Sequence, residues 1–366
     1  MGKSYFITGG GTGGHIYPAV AVADELLKQG DCKIFYIGNP YNMEAKIVKN
    51  KKYTFLPVNS SGMPRKACLD YIFWLLKMAF ACIKCIYYIK KYKPDIIFGT
   101  GGYVSAPVLT AGILMKIPFV MHDCDANPGL VTRKYAPFAK CVSVAFEDAK
   151  DKLKNSNIFV NGNPIREEFS TLTKVQARKN LGLKDKLTIC IMGGSQGAKA
   201  INNSAIEIIK SLSLDYDVQI IFQTGTKNYD DVIKSLSQKY SDYKTDKNII
   251  VQSYFDNMAE VLKSSDIAIS RAGSLSISEL CASAVATIYV PYPYAAADHQ
   301  RKNAKSMVAK GAGLYLEDAE ISPQKLLSLL KPLIENPKEL DELQKKSLSL
   351  AKYDGVKKIV SQINSI

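Results

Sequence analysis

The sequence predicts an α/β protein of two doubly wound, mostly parallel sheets, and three observations carry that expectation. Short β-branched or aromatic runs alternate with longer helical stretches, the pattern of repeated βαβ units. A strand, a glycine-rich loop and a helix open the chain near Tyr5, and the same succession opens again near Leu187. The length, 366 residues, exceeds the size at which one hydrophobic core usually stops growing.

In the first half SYFIT, KIFYIG, DIIFGT, PFVMHD and CVSVAF read as strands, with helices over 19–29 and 69–92. The stretch NIFVNGNPIREEF then breaks the pattern, and its Gly162-Asn163-Pro164 turn reads as a boundary. LTICIM restarts the scheme, followed by a glycine loop over 193–197, a helix, and the strands QIIFQTG, NIIVQSY, DIAISRAG and ATIYVPYP. The expected domains are therefore 1–163 and 164–340. A helical, Lys-rich tail over 341–366 follows, with the first domain as a candidate docking partner. In open α/β sheets ligands bind beyond the carboxyl ends of the strands, which directs attention to the loops after each strand.

Composition narrows the function. The chain is 47% hydrophobic and 22% charged, as folded chains are, and its formal net charge of +14 points to a nucleic acid, an anionic membrane surface or plain solubility. No helix-turn-helix, zinc-finger or RNP pattern supports nucleic acid. The Cys residues fall mostly in apolar runs, and Cys82 and Cys85 lie mid-helix without a second pair at zinc spacing, so reduced core thiols are expected and no metal. No signal-peptide pattern opens the sequence. The run YIFWLLKMAFACIKCIYYI imitates a membrane span, but Lys77 and Lys84 interrupt it, each costing about 2.5–3.5 kcal/mol near a bilayer centre. It reads instead as a helix buried in the protein or lying at an interface.

The chemistry collects in loops. Gly9, Gly11 and Gly14 fit a dinucleotide fingerprint after the first strand, and the loop suits backbone N–H contacts to a diphosphate. The acid that should end the second strand is replaced by Gly38-Asn39, which argues against a dehydrogenase. His15 opens the following helix, and an imidazole with an ordinary pKa near 6.5 suits removal of a hydroxyl proton at neutral pH. Asp123 and Asp125 are rival bases. In the second half, GGSQGA places Ser195 by a helix start, and SRAGSLSISE carries Glu279 where sugar hydroxyls can be bound. Gln300 offers donors and acceptors on a later loop. No D-x-D stands in a donor-site context, so helix N-termini and Arg166 would carry the positive potential.

The segments GGGTGGHIYPA, GTGGYVSAP, HDCDANPGLVTRKYA, GNPIR, GGSQGA, SRAGSLSISE and ADHQRKNA, in this order, closely resemble the MurG family of peptidoglycan N-acetylglucosaminyltransferases. The resemblance implies a GT-B architecture, with two Rossmann-like lobes facing a central cleft. It also implies inverting, metal- and cofactor-independent transfer of GlcNAc from UDP-GlcNAc to the MurNAc C4 hydroxyl of undecaprenyl-pyrophosphoryl-MurNAc-pentapeptide (lipid I), giving lipid II and UDP. Carried over by motif, Thr12, Gly13 and Gly14 border the donor sugar, while Arg166 and Ser195 face the nucleotide. The Phe255 backbone would read uracil, and residues 273–278, with Gly273, Ser274, Leu275 and Ser276, would wrap the diphosphate. Glu279 would hold the ribose and Gln300 the GlcNAc hydroxyls. His15, Asp125 and Glu279 form the candidate catalytic set. Many relatives have H-E-x-N where this chain has His122-Asp123-Cys124-Asp125, and an H-E-S-D version also occurs. Asp125 as donor contact and Asp125 as base both stand open.

Under this reading the nucleotide belongs to the second half, and the opening loop takes the acceptor pyrophosphate. The basic, aromatic segment 63–93, with Phe73, Trp74 and Phe80, becomes the candidate docking surface on the anionic cytoplasmic leaflet, making the protein peripheral. Rival readings are a diacylglycerol glycosyltransferase, a UDP-GlcNAc 2-epimerase and a non-catalytic nucleotide-sugar sensor.

Overall fold

The computed structural model describes residues 2–64 and 69–366, with backbone only at Leu69. Arg65 to Cys68, at the start of the expected docking segment, lie outside the described residues. The chain forms two compact units, Met1–Ile165 with Asp354–Ile366, and Arg166–Tyr353.

The first unit runs β1 (Ser4–Thr8), α1 (Gly13–Gln29), β2 (Lys33–Gly38), α2 (Met43–Val48), β3 (Thr54–Pro57), α3 (Leu69–Tyr92), β4 (Ile96–Gly99), α4 (Ser105–Leu114), β5 (Phe119–Asp123), α5 (Leu130–Tyr135), β6 (Cys141–Val144) and β7 (Ile158–Val160). Among the described residues its sheet has seven parallel strands in the order β3-β2-β1-β4-β5-β6-β7. Every residue of β1 is buried, as expected for a central parallel strand covered on both faces. One face packs under α3 and α4 through Phe6, Ile97, Val108 and Leu109, and the other under α1 through Ile7, Ile16 and Val20.

The second unit runs α6 (Glu168–Thr171), α7 (Lys174–Asn180), β8 (Leu187–Met192), α8 (Lys199–Asp215), β9 (Val218–Gln223), α9 (Tyr229–Lys239), β10 (Ile249–Gln252), α10 (Met258–Ser264), β11 (Ile267–Ser270), α11 (Ser274–Ala282), β12 (Ala286–Tyr289), α12 (His299–Ala309), β13 (Leu314–Tyr315), α13 (Pro323–Glu335) and α14 (Pro337–Ser349). Its six described strands are parallel in the order β10-β9-β8-β11-β12-β13. In each unit the glycine loop follows the strand at which the order reverses, β1 between β2 and β4 and β8 between β9 and β11. Such switch points open a crevice at the strand ends.

Several elements differ from the sequence reading. Helix α1 begins at Gly13 rather than residue 19, because Gly13, Gly14 and Pro18 read as loop although they lie inside the helix. The units meet in the chain at Ile165–Arg166, and the expected tail divides. Helix α14 packs on α11 and α13 of the second unit, while α15 (Gly355–Asn364) packs on α1 of the first, burying Ile359, Val360 and Ile363.

Helix α3 has two apolar faces. Ala81, Cys85, Tyr88 and Ile89 enter the core of the first unit, whereas Phe73 and Phe80 remain 68% and 70% exposed. Among the described residues it is the one helix long and apolar enough to cross a membrane. Its Trp74 indole donates to the Ser61 carbonyl (2.9 Å).

Candidate active site

In the first unit the glycine loop carries the chain from β1 to α1. Its amides do not all point the same way. Gly11, in the left-handed region at φ +86°, turns its N–H inward to the buried Glu44 carboxylate (3.3 Å), so that donor is spent inside the protein. Gly13 and Gly14, as the first residues of the helix, have N–H groups that meet no acceptor within it. Donors that meet no helix carbonyl and the helix dipole therefore coincide at the start of α1, an arrangement that can hold an anion.

His15 stands in that first turn and is held from two sides. Its Nδ1 lies 2.8 Å from the Thr100 carbonyl, and the Thr100 hydroxyl donates back to the His15 carbonyl (2.6 Å). A carbonyl only accepts, so Nδ1 carries the proton and Nε2 is left with a lone pair. Gly101 and Gly102 make room for the ring, since a Cβ on Gly102 would stand 3.1 Å from His15 Cδ2. The imidazole is thus fixed in the tautomer that a base requires.

The two aspartates of HDCD differ sharply. Asp123, 2% exposed, accepts from the backbone N–H of Asp125 and of Gly129 (both 3.1 Å). Burial and the neighbouring Asp125 charge push its carboxyl up. Its oxygens are turned into its own loop, a bracing geometry rather than one that reaches a substrate. Asp125 is half-buried at the loop surface. His122 is wholly buried between the Ser143 hydroxyl (3.0 Å) and Asn163 Oδ1 (3.2 Å), and desolvation lowers its pKa to about 4, so it stays neutral.

In the second unit the loop over 193–197 leaves Ser195 exposed and packs backbone to backbone on Thr224-Gly225. A Cβ on Gly197 would come within 2.1 Å of the Thr224 carbonyl oxygen, so no side chain fits there. Gly273 caps α11, and Ser274, Leu275 and Ser276 form its first turn, whose amides point away from the body of the helix. One turn on, the Glu279 side chain is 13% exposed and faces Arg166 at 4.0 Å. Burial raises its pKa to about 7, against the lowering pull of Arg166. Arg166 is exposed, lies over the Phe169 ring at 5.5 Å from its centroid, and reaches the Asp256 carbonyl (3.5 Å). Arg166 thus joins Glu279, Phe169 and Asp256, while the loops that carry Ser195 and Gly273 follow the paired strand ends Met192 and Ser270.

The Phe255 N–H already donates to Gln223 Oε1 (3.0 Å), so that donor is spent inside the unit. Gln300 Oε1 accepts from the Tyr292 N–H (2.9 Å), so its amide donors are directed elsewhere. Arg271, which the sequence reading passed over, organises this loop. Its guanidinium donates to the Val290 and Pro291 carbonyls (both 3.1 Å), pairs with Asp318 and lies over the Tyr292 ring. The only sequence signal was an arginine inside the SRAGS motif.

A transferase of Halothermothrix orenii, named UDP-N-acetylglucosamine–N-acetylmuramyl-(pentapeptide) pyrophosphoryl-undecaprenol N-acetylglucosamine transferase, is 38% identical over 349 residues, 94% of each chain. The crystal structure of Acinetobacter baumannii MurG covers 100% of both chains at 26% identity and a TM-score of 0.79. The chain belongs to the MurG family. A member of the same name from Thermoanaerobacter sp. is 35% identical over 99% of both chains. The glycosyltransferase family 28 N-terminal domain matches residues 5–144 and the C-terminal domain residues 188–360, so each glycine loop lies in or beside its own matched domain. With these matches, the two parallel-sheet units are the GT-B fold of the MurG family. UDP-GlcNAc 2-epimerase from Neisseria meningitidis shares that fold alone, with a TM-score of 0.69 at 15% identity.

Proposed function

We propose that this chain transfers GlcNAc from UDP-GlcNAc to the C4 hydroxyl of MurNAc in undecaprenyl-pyrophosphoryl-MurNAc-pentapeptide, releasing UDP with inversion at the anomeric carbon. One observation carries the reading: near-full-length identity to relatives named for that donor and that acceptor. His15 Nε2 takes the proton of the acceptor hydroxyl as its oxygen bonds to the anomeric carbon, and the bond from that carbon to the β-phosphate oxygen breaks with its electron pair on UDP. The amides at the start of α11 and the Arg166 guanidinium stabilise the charge that develops on the diphosphate. Glu279 accepts from the ribose hydroxyls, and the Gln300 amide contacts GlcNAc. Asp125 contacts the donor sugar or serves as the alternative base, and the start of α1 takes the acceptor pyrophosphate.

The acceptor is lipid-linked, and the exposed apolar face of α3 beside Lys77 and Lys84 supports docking on an anionic cytoplasmic leaflet. The deciding assay supplies radiolabelled UDP-GlcNAc with a lipid I analogue. Label in a disaccharide-lipid product is the expected result. Label in diacylglycerol alone would overturn the acceptor assignment, and ManNAc released without any acceptor would mark an epimerase.

A further inference from the structure

Glu44 lies outside the machinery just described, yet it is fully buried in the first turn of α2 with its carboxylate beneath the glycine loop. Its Oε2 accepts from the Gly11 N–H (3.3 Å) and its Oε1 from the Asn39 N–H (3.1 Å). The surrounding backbone is pared down to make room for it. A Cβ on Gly10 would stand 2.6 Å from Oε1, and one on Gly38 would stand 2.8 Å from Cγ. Burying a carboxylate costs several kcal/mol unless fixed donors compensate, so a side chain needed only to fill space would be apolar.

Neighbouring contacts grip the same loop. The Tyr36 hydroxyl donates to the Gly9 carbonyl (2.6 Å). Asn42 Nδ2 donates to the Tyr103 hydroxyl (2.8 Å), and the Tyr103 ring edge would meet a Cβ on Gly11 at 3.1 Å. Strand β2 and helix α2 thereby hold the loop from beneath at Gly9 and Gly11, immediately before the chain turns into α1 and presents Gly13, Gly14 and His15.

We propose that Glu44 is a positioning residue for the acceptor side of the reaction, an assignment that rests on the transferase reading above. By drawing the Gly11 amide inward it fixes where α1 starts. It thereby confines an acceptor phosphate to the Gly13–Gly14 amides beside His15 rather than to the apex of the loop. The role needs two acceptor oxygens, because a carboxamide of the same shape has one and would set an NH2 group against a backbone donor.

The test compares wild type with Glu44→Gln in steady-state transfer to a lipid I analogue, together with hydrogen exchange of the segment 9–16 in the absence of substrate. A misplacement of about 1 Å remote from the chemistry can cost about 100-fold. The expected result is a fall of about 10- to 100-fold in acceptor kcat/KM, with donor KM within about twofold and exchange over 9–16 about tenfold faster or more. Exchange over 273–279 stays as in wild type. Gly10→Ala, whose Cβ would press on Glu44 Oε1, is expected to give the same split and carries the test if Glu44→Gln does not fold. A folded variant with wild-type acceptor kinetics and wild-type loop exchange would overturn the proposal, as would a donor KM that rises as much as the acceptor kcat/KM falls. Wild-type protein that transfers nothing to the lipid would refute the transferase reading instead, while the exchange comparison would still decide whether Glu44 holds the loop.

Discussion

His15 and Glu279 show how a single hydrogen bond or a single burial sets what a side chain does. The bond from His15 Nδ1 to Thr100 leaves Nε2 basic, so His15→Ala is expected to lower kcat by about 10²- to 10⁴-fold with little change in donor KM. A near-normal kcat would transfer the role to Asp125. Glu279 has its pKa raised from an ordinary 4.5 to about 7 by burial. Between those values the folded chain keeps a proton that the unfolded chain has released, so this residue makes stability decline as pH rises through the window. Glu279→Gln should flatten that decline in thermal melts between pH 5 and 8, and an unchanged pH slope would refute it. Ribose hydroxyls donate to the ionised form, so donor KM in wild type should fall from pH 6 to pH 8. At this scale the sequence was legible where a residue type is rare or conformationally special, as with His15 and the glycines. Glu44 was not legible. An acid in the first turn of a helix looks like an ordinary partner of the helix dipole, and only the tertiary fold carries it beneath a loop more than thirty residues away.

Among elements, the central strands were readable because both faces are buried and their residues form short, unbroken apolar runs. The strands not foreseen, β3, β7 and β13, are sheet edges of 4, 3 and 2 residues, where one side faces no partner strand and the apolar signal fades. Helix α3 was legible in its full extent, but its division into a core face and an exposed face was not, because apolar residues lie all around it. That exposed face gives a prediction at the same scale. Replacing Phe73 and Phe80 by Glu removes apolar area and adds two negative charges, leaving the buried row at Ala81, Cys85 and Ile89 intact. Sedimentation with anionic vesicles should fall at least about tenfold, while turnover of a short-chain soluble acceptor stays within about twofold. Equal losses in both assays would mean that the helix serves packing or catalysis rather than membrane docking.

At the scale of the whole molecule, the first unit is completed by residues that follow the second. Ile359, Val360 and Ile363 of α15 are fully buried in the cluster that contains Ile7, Ile16, Val20 and Leu26. The same helix is tied at its start and along its length. A Cβ on Gly355 would stand 2.9 Å from the Asn161 carbonyl oxygen, and Gln362 Oε1 accepts from Asn161 Nδ2 (2.9 Å). Asn161 in turn donates to Ser143, which contacts His122, and His122 contacts Asn163, so a buried polar chain links the C-terminal helix to the strand that ends in Asp123. Ile359→Ala opens a cavity on the side of the sheet that carries α1, and a buried Ile→Ala change costs about 2–5 kcal/mol. The loss should fall on the first unit alone. UDP binding, which the proposed site assigns to Arg166–Tyr353, should keep its affinity within about twofold at a temperature where the variant remains folded, whereas hydrogen exchange should quicken across β1 and α1. A UDP affinity that weakens in step with the lost stability would show that the two units do not divide the work in this way.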